Sequence, residues 1–240
     1  MFRPLTLWLT GLGSYIWIAA TTPIFWVFMY VLNKTVVVNR QLLPRQPNVL
    51  IISNHLTMID SWFIGVALFW PWVLLRPALV PWHVPERKNF FKNKLLALLF
   101  RFWKCMPITR GSGDFLAKLT QLGAELKKSS LIIFPEGTRN RNPKSGQLYA
   151  WRGGPALIAH RNQATVVPVA IRGTEDVLPI GSVWPKFGQR IVVVVGEPIE
   201  VADIYVNSNE QQARDALSAR MKETLQRLLT KATALYENKT

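Results

Sequence analysis

The chain has 240 residues, 49% of them apolar and 18% charged, with 29 Lys+Arg against 14 Asp+Glu and a formal net charge of +15. This excludes a disordered chain, which has too little apolar surface to bury. The single cysteine, Cys105, excludes an intramolecular disulfide and any metal site built on several thiolates.

An apolar, basic chain with 10 tryptophans suits a polyanionic surface, a bilayer before a nucleic acid. The run from Leu5 to Leu32 carries no charge. As one helix it would be about 42 Å long against a hydrocarbon core of about 30 Å, enough to cross with tilt. Pro23 interrupts it, so two short helices dipping into one leaflet are equally allowed. Trp8, Trp17 and Trp26 suit the interfacial depth that indoles prefer and are the expected membrane contacts. Arg3 precedes the run, whereas Lys34, Arg40 and Arg45 follow it. If the run spans, that bias places the remainder on the cytoplasmic side. Residues 1–40 are therefore expected to be a membrane-anchoring helical segment, and 41–240 an α/β domain.

Past Pro47 the pattern changes. Asn48 to Ser53 is a short β-branched run, the mark of a buried strand. A helix is expected over Met58–Phe69, a strand end and loop over Ala78–Val84, and a helix over Asn89–Lys104. Met106–Thr109 reads as a strand, Asp114–Lys128 as an amphipathic helix and Leu131–Phe134 as a strand. Pro155–His160 belongs to a helix, and Thr165–Ile171 and Arg190–Val195 are strands. The tail from Asn209 to Ala234 is a helix with Ala213, Leu217, Met221, Leu225, Leu228 and Ala232 on one face. Strands alternating with helices predict an α/β fold with a largely parallel sheet flanked by helices. In the stretch 87–104, Lys92, Lys94 and Arg101 alternate with Phe90, Leu95, Phe100 and Trp103. That describes an amphipathic helix lying on anionic lipid. A nucleic-acid face is the rival reading. The uncharged N-terminal run favours lipid, and no nucleic-acid partner is expected.

The first strand opens into Asn54-His55-Leu56-Thr57-Met58-Ile59-Asp60. On a continuous helix His55 and Asp60 would face about 140° apart. With His55 in the turn and Asp60 in the first helical turn, the carboxylate can fold back to the imidazole. A histidine held this way is a general base. It needs an external hydroxyl to activate, because no Gly-x-Ser-x-Gly nucleophile elbow occurs. Arg110 and Arg139 follow the ends of two short strands, and a guanidinium fork suits phosphate. Gly137 lets a backbone approach a ligand. His55, Asp60 and Glu136 lack a second imidazole and make a poor metal shell, so neither metal nor cofactor is expected. Cys105 beside Lys104 is either a reactive thiol, with a Cys105–His55 pair as the rival chemistry, or a small buried side chain.

Together these segments resemble the glycerolipid acyltransferase superfamily of 1-acylglycerol-3-phosphate acyltransferases. Asn54-His55 through Asp60 matches its histidine–four–aspartate motif, which implies that His55 is the base and Asp60 its partner. Ile108-Thr109-Arg110 matches the second block, whose arginine contacts the acceptor phosphate. Phe134-Pro135-Glu136-Gly137-Thr138-Arg139 matches the third, which shapes the acceptor site. Trp151-Arg152-Gly153-Gly154 and Val167-Pro168-Val169 match two later blocks. Leu32–Val36, Lys104–Pro107, Glu175–Pro179 and Pro185–Arg190 are similar to the tafazzin branch, which exchanges acyl chains between phospholipids and lysophospholipids. Two positions depart from that branch: Ser61, where it usually carries a second acid, and Thr138-Arg139, the form typical of the lysophosphatidate enzymes. The resemblance implies phospholipid and lysophospholipid substrates at a membrane, with acyl-CoA or acyl-carrier protein as the alternative donor. A membrane-bound lipid carrier is the rival without catalysis.

Overall fold

The computed structural model describes residues 3–76, 80–91, 93–109, 115–206 and 209–238, the side chains of 3–10, 89–90 and 115–116 excepted. Six strands, β1 (Lys34–Val38), β2 (Val49–Ser53), β3 (Trp82–His83), β4 (Ser130–Ile133), β5 (Thr165–Arg172) and β6 (Arg190–Val195), form one sheet in the order β1-β6-β5-β2-β4-β3. All pairings are parallel except β5 with β6. The helices are α1 (Arg3–Tyr30), α2 (Asp60–Phe69), α3 (Arg87–Phe90), α4 (Lys94–Phe102), α5 (Phe115–Leu126), α6 (Gly154–Asn162), α7 (Thr174–Val177), α8 (Ala202–Tyr205) and α9 (Glu210–Glu237).

Every residue of β2 is buried, because helices cover both faces of the sheet. Successive side chains on a strand point to opposite faces. Ile51, Ile132 and Val167 thus pack with Met29 of α1 and Phe63 and Ile64 of α2. Leu50, Leu131 and Val166 pack with Leu122 of α5, Ala156 of α6 and Leu217, Met221 and Leu225 of α9. This two-sided core holds the carboxyl end of β2 rigid, and that is where the chain turns into α2.

Several expectations are revised. The N-terminal run is one helix through Pro23, held continuous by burial of Ile18 and Met29 on either side. The sheet begins inside residues 1–40, since Lys34–Val38 pairs with Arg190–Val194. This half-buried edge strand lacks the solid apolar run that marks β2. The helix expected over Asn89–Lys104 breaks into α3 and α4, because the Asn93 side chain accepts hydrogen bonds from the amides of Leu95 and Leu96 and caps a new start. Residues 106–109 form no strand; Cys105 and Ile108 make isolated bridges to His83 and Glu86, with Pro107 supplying no donor between them. On α9 the buried position is Leu229, and Leu228 is half-buried.

Gly11–Tyr30 is long and apolar enough to cross a membrane. Its outer stripe is Leu12, Ile16, Ile24 and Val27, all exposed. The half-buried indoles of Trp17 and Trp26 turn inward instead, 5.7 Å from the ring of Trp103 and 6.3 Å from that of Trp70. Burial against the domain outweighs the interfacial placement expected of them. Lys94 and Arg101 are exposed on α4. The side chains of Trp8 and Lys92 lie outside the described residues.

Candidate active site

His55 lies in the loop after β2, and Asp60 is the first residue of α2. The loop brings the carboxylate back, so that His55 Nδ1 and Asp60 Oδ2 are 3.0 Å apart. Asp60 is fully buried. Its Oδ2 also accepts the amides of Leu56 (2.6 Å) and Thr57 (2.7 Å). Its Oδ1 accepts the hydroxyls of Thr57 and Thr174, each at 2.7 Å. With four other donors satisfying the carboxylate, it is fixed as the acceptor for an Nδ1–H proton. The tautomer then leaves Nε2 of His55 as the basic nitrogen. The imidazole stacks on Phe134, with ring centroids 4.2 Å apart.

The main chain of His55 is clamped on both sides. Its amide donates to Glu136 Oε1 at 2.7 Å, and its carbonyl accepts the amide of Asn140 at 2.6 Å. Glu136 Oε2 accepts the amide of Tyr149 at 2.7 Å. Glu136 is fully buried, with each oxygen taken by a backbone amide, so it braces the loop rather than facing a ligand. Burial raises its carboxyl above the usual range, and the two amides oppose that shift. Asn54 both donates to and accepts from the backbone of Ile171, at 2.9 Å each way, pinning the turn to β5.

A cavity of about 490 Å3 opens beside the imidazole. Its walls include His55, Gly137, Thr138, Arg139 and Lys88, with Trp62, Phe100 and Ile133 as apolar surface. Gly137 has φ +66°, and a Cβ there would lie 3.2 Å from Cγ of Arg152. The structure thus brings His55, Asp60, Gly137, Thr138 and Arg139 together, while Arg110 lies outside the described residues. Cys105 also touches the cavity, but burial pushes its thiol up to about 12, so it stays protonated near neutral pH.

Three features escape a reading of the sequence. Thr174 supports Asp60 from 114 residues away. It is set by Gly173 and by the Arg172–Glu175 ion pair at 2.9 Å, neither of which forms a pattern with Asp60. Glu136 has the role of a main-chain brace, and Lys88 joins Arg139 as a cation on the cavity wall. The arrangement can take a proton from a hydroxyl brought to His55 and can bind an anionic group nearby.

Residues 34–172 match the sequence model of the Acyltransferase family. The chain is 32% identical over 158 residues to the N-acylphosphatidylethanolamine synthase of Arabidopsis thaliana, covering 62% of this chain and 55% of that protein. It is 25% identical over 232 residues to the tafazzin of Drosophila melanogaster, covering 89% of this chain and 60% of that protein. The chain therefore spans less than two thirds of the length of either curated relative. The crystal structure of the 1-acyl-sn-glycerophosphate acyltransferase PlsC from Thermotoga maritima has the same fold, with a TM-score of 0.57 at 19% identity over 95% of this chain and 98% of that one.

Proposed function

Because this chain belongs to the Acyltransferase family, we propose that it transfers a fatty acyl chain to the hydroxyl of a lysophospholipid, taking it from a second phospholipid of the same membrane. The observation that carries the reading is the buried Asp60 at 3.0 Å from Nδ1 of His55, on the wall of a cavity that also holds Arg139. Nε2 of His55 takes the proton of the lysolipid hydroxyl as that oxygen attacks the donor's acyl carbonyl. The anionic Asp60 stabilises the imidazolium. The tetrahedral adduct collapses by breaking the bond to the donor's glycerol oxygen, which receives the proton from Nε2. The products are a diacyl phospholipid and a new lysophospholipid. Arg139, with Lys88 on the same wall and Arg110 of the second block, holds the headgroup phosphates.

Support for exchange comes from the likeness to tafazzin along 89% of the chain. The apolar α1 holds the enzyme on the membrane, with Lys94 and Arg101 adding attraction to anionic lipid. The catalytic domain lies on the cytoplasmic side in a bacterial cell. Chains then need not leave the bilayer during transfer.

The test offers the purified protein labelled phosphatidylcholine and a lysophospholipid without CoA. Labelled diacyl product is expected, and His55→Ala should reduce its rate by about 10² to 10⁴. Wild-type rates in His55→Ala would remove His55 as the base, and lipid movement between vesicles without any labelled diacyl product from the wild type would instead mark a lipid carrier. Product formed only with acyl-CoA or acyl-carrier protein would overturn exchange. A lysophosphatidate acyltransferase, favoured by Thr138-Arg139, would then take its place with His55 and Asp60 in the same roles.

A further inference from the structure

A second cavity, of about 760 Å3, lies at the β3 edge of the sheet between α1, α4 and α5. It is separated from the cavity of His55 by a ribbon in which residues 82–86 run beside 105–108. Side chains of the ribbon divide between the two. Trp82 and Met106 line the second cavity, His83 and Ile108 line the first, and Cys105 touches both.

The walls of the second cavity are of two kinds. Tyr15 and Ile18 of α1, with Phe91 and Met106, are apolar or aromatic. Arg87, Arg101, Lys104 and Lys118 are cations, and Glu125 is the one carboxylate among the lining residues. Glu125 acts on Lys104. Among the described residues, no ion pair involves Arg87, Arg101 or Lys118. Lys118 donates to Gln121 Oε1 at 3.3 Å, a neutral partner that leaves its charge uncompensated. Three cations around one cavity repel one another and attract an anion. A small soluble anion has no use for the apolar wall, and an uncharged lipid has none for the cations. The wall on α1 adjoins that helix's exposed stripe at Leu12 and Ile16, so a molecule held there is continuous with whatever covers the stripe.

We propose that this cavity holds one anionic phospholipid of the bilayer, its phosphate among Arg87, Arg101 and Lys118 and its chains along Tyr15 and Phe91, as a site separate from that of His55. The charge and the apolar wall are both satisfied by that chemistry.

Native mass spectrometry of the full chain in detergent tests this with a diether phosphatidylglycerol, which carries no transferable acyl group. Binding is then read without turnover, and the outcome is independent of the proposed reaction. Wild type should retain diether phosphatidylglycerol at least tenfold better than diether phosphatidylcholine. Lys118→Glu should weaken that retention about tenfold. Gly11→Leu, at a wall position where an added Cβ meets nothing within 4 Å, should remove one lipid equivalent without disturbing the fold. Equal retention of the two diether lipids, or unchanged retention in both variants, would overturn the proposal. So would displacement of the lipid by millimolar inorganic phosphate, which identifies a free-phosphate site.

Discussion

Under the proposed mechanism, Asp60→Asn should separate catalysis from folding at this site. The carboxylate accepts three hydrogen bonds at Oδ2, from His55 Nδ1, Leu56 and Thr57, and two at Oδ1, from the hydroxyls of Thr57 and Thr174. An asparagine with its oxygen in the Oδ2 position keeps the first three. Its amide group then meets two hydroxyls, which can rotate to accept. The fold therefore survives, at a cost of about 1–3 kcal/mol from exchanging charge-assisted for neutral hydrogen bonds. What disappears is the negative charge that, in the proposed mechanism, stabilises the imidazolium. The expected loss in kcat is about 10² to 10⁴, or about 3–5 kcal/mol of barrier. Asp60 is fully buried and off the cavity wall, so KM should move little. Initial rates of acyl exchange in mixed micelles across lysophospholipid concentrations give the split, and circular dichroism gives the folded fraction. A kcat within threefold of wild type in a folded protein would refute the reasoning, as would a raised KM at unchanged kcat.

Three further outcomes follow from the packing. Ile24 is exposed in the middle of α1, so Ile24→Asp should lower co-sedimentation with vesicles at least tenfold while leaving thermal stability unchanged; equal sedimentation would remove α1 as the membrane contact. Gly173 has φ +92°, and a Cβ there would lie 2.0 Å from the carbonyl oxygen of Arg190. Gly173→Ala should cost about 3 kcal/mol or more in urea denaturation, and a change below about 1 kcal/mol would contradict the strain. Burial, with the Lys104 charge, pushes the His83 imidazole down to about 3 from an ordinary 6.5. Between those values the unfolded chain binds a proton that the native chain does not, so stability falls as pH falls. The slope from this group is about 1.4 kcal/mol per pH unit. His83→Leu should flatten it between pH 6 and 4, and identical slopes would rule out a neutral buried imidazole.

The sequence alone determined the central strands, because β2, β5 and β6 are buried on both faces and appear as unbroken apolar runs. It also made the His55–Asp60 pairing legible as a candidate, because the two residues stand five apart across a single turn, and the structure brings them to 3.0 Å. Arg139 and Gly137 were legible for the same reason, standing directly after the apolar run of β4. Tertiary structure decided what depends on packing order. The antiparallel β5–β6 pair and the edge position of β1 follow from which strand lies beside which, and hydrophobic periodicity carries no such information. The inward turn of Trp17 and Trp26 depends on the neighbours that α1 meets, Trp103 and Trp70. Glu136 reaches the His55 amide across 81 residues, Thr174 reaches Asp60 across 114, and Asn54 reaches Ile171 across 117. Side chains so far apart in the chain become partners only when the sheet sets the ends of β2, β4 and β5 next to one another. The sequence therefore showed His55 and Asp60 as the candidate pair, and the folded sheet supplied the donors that hold them in place.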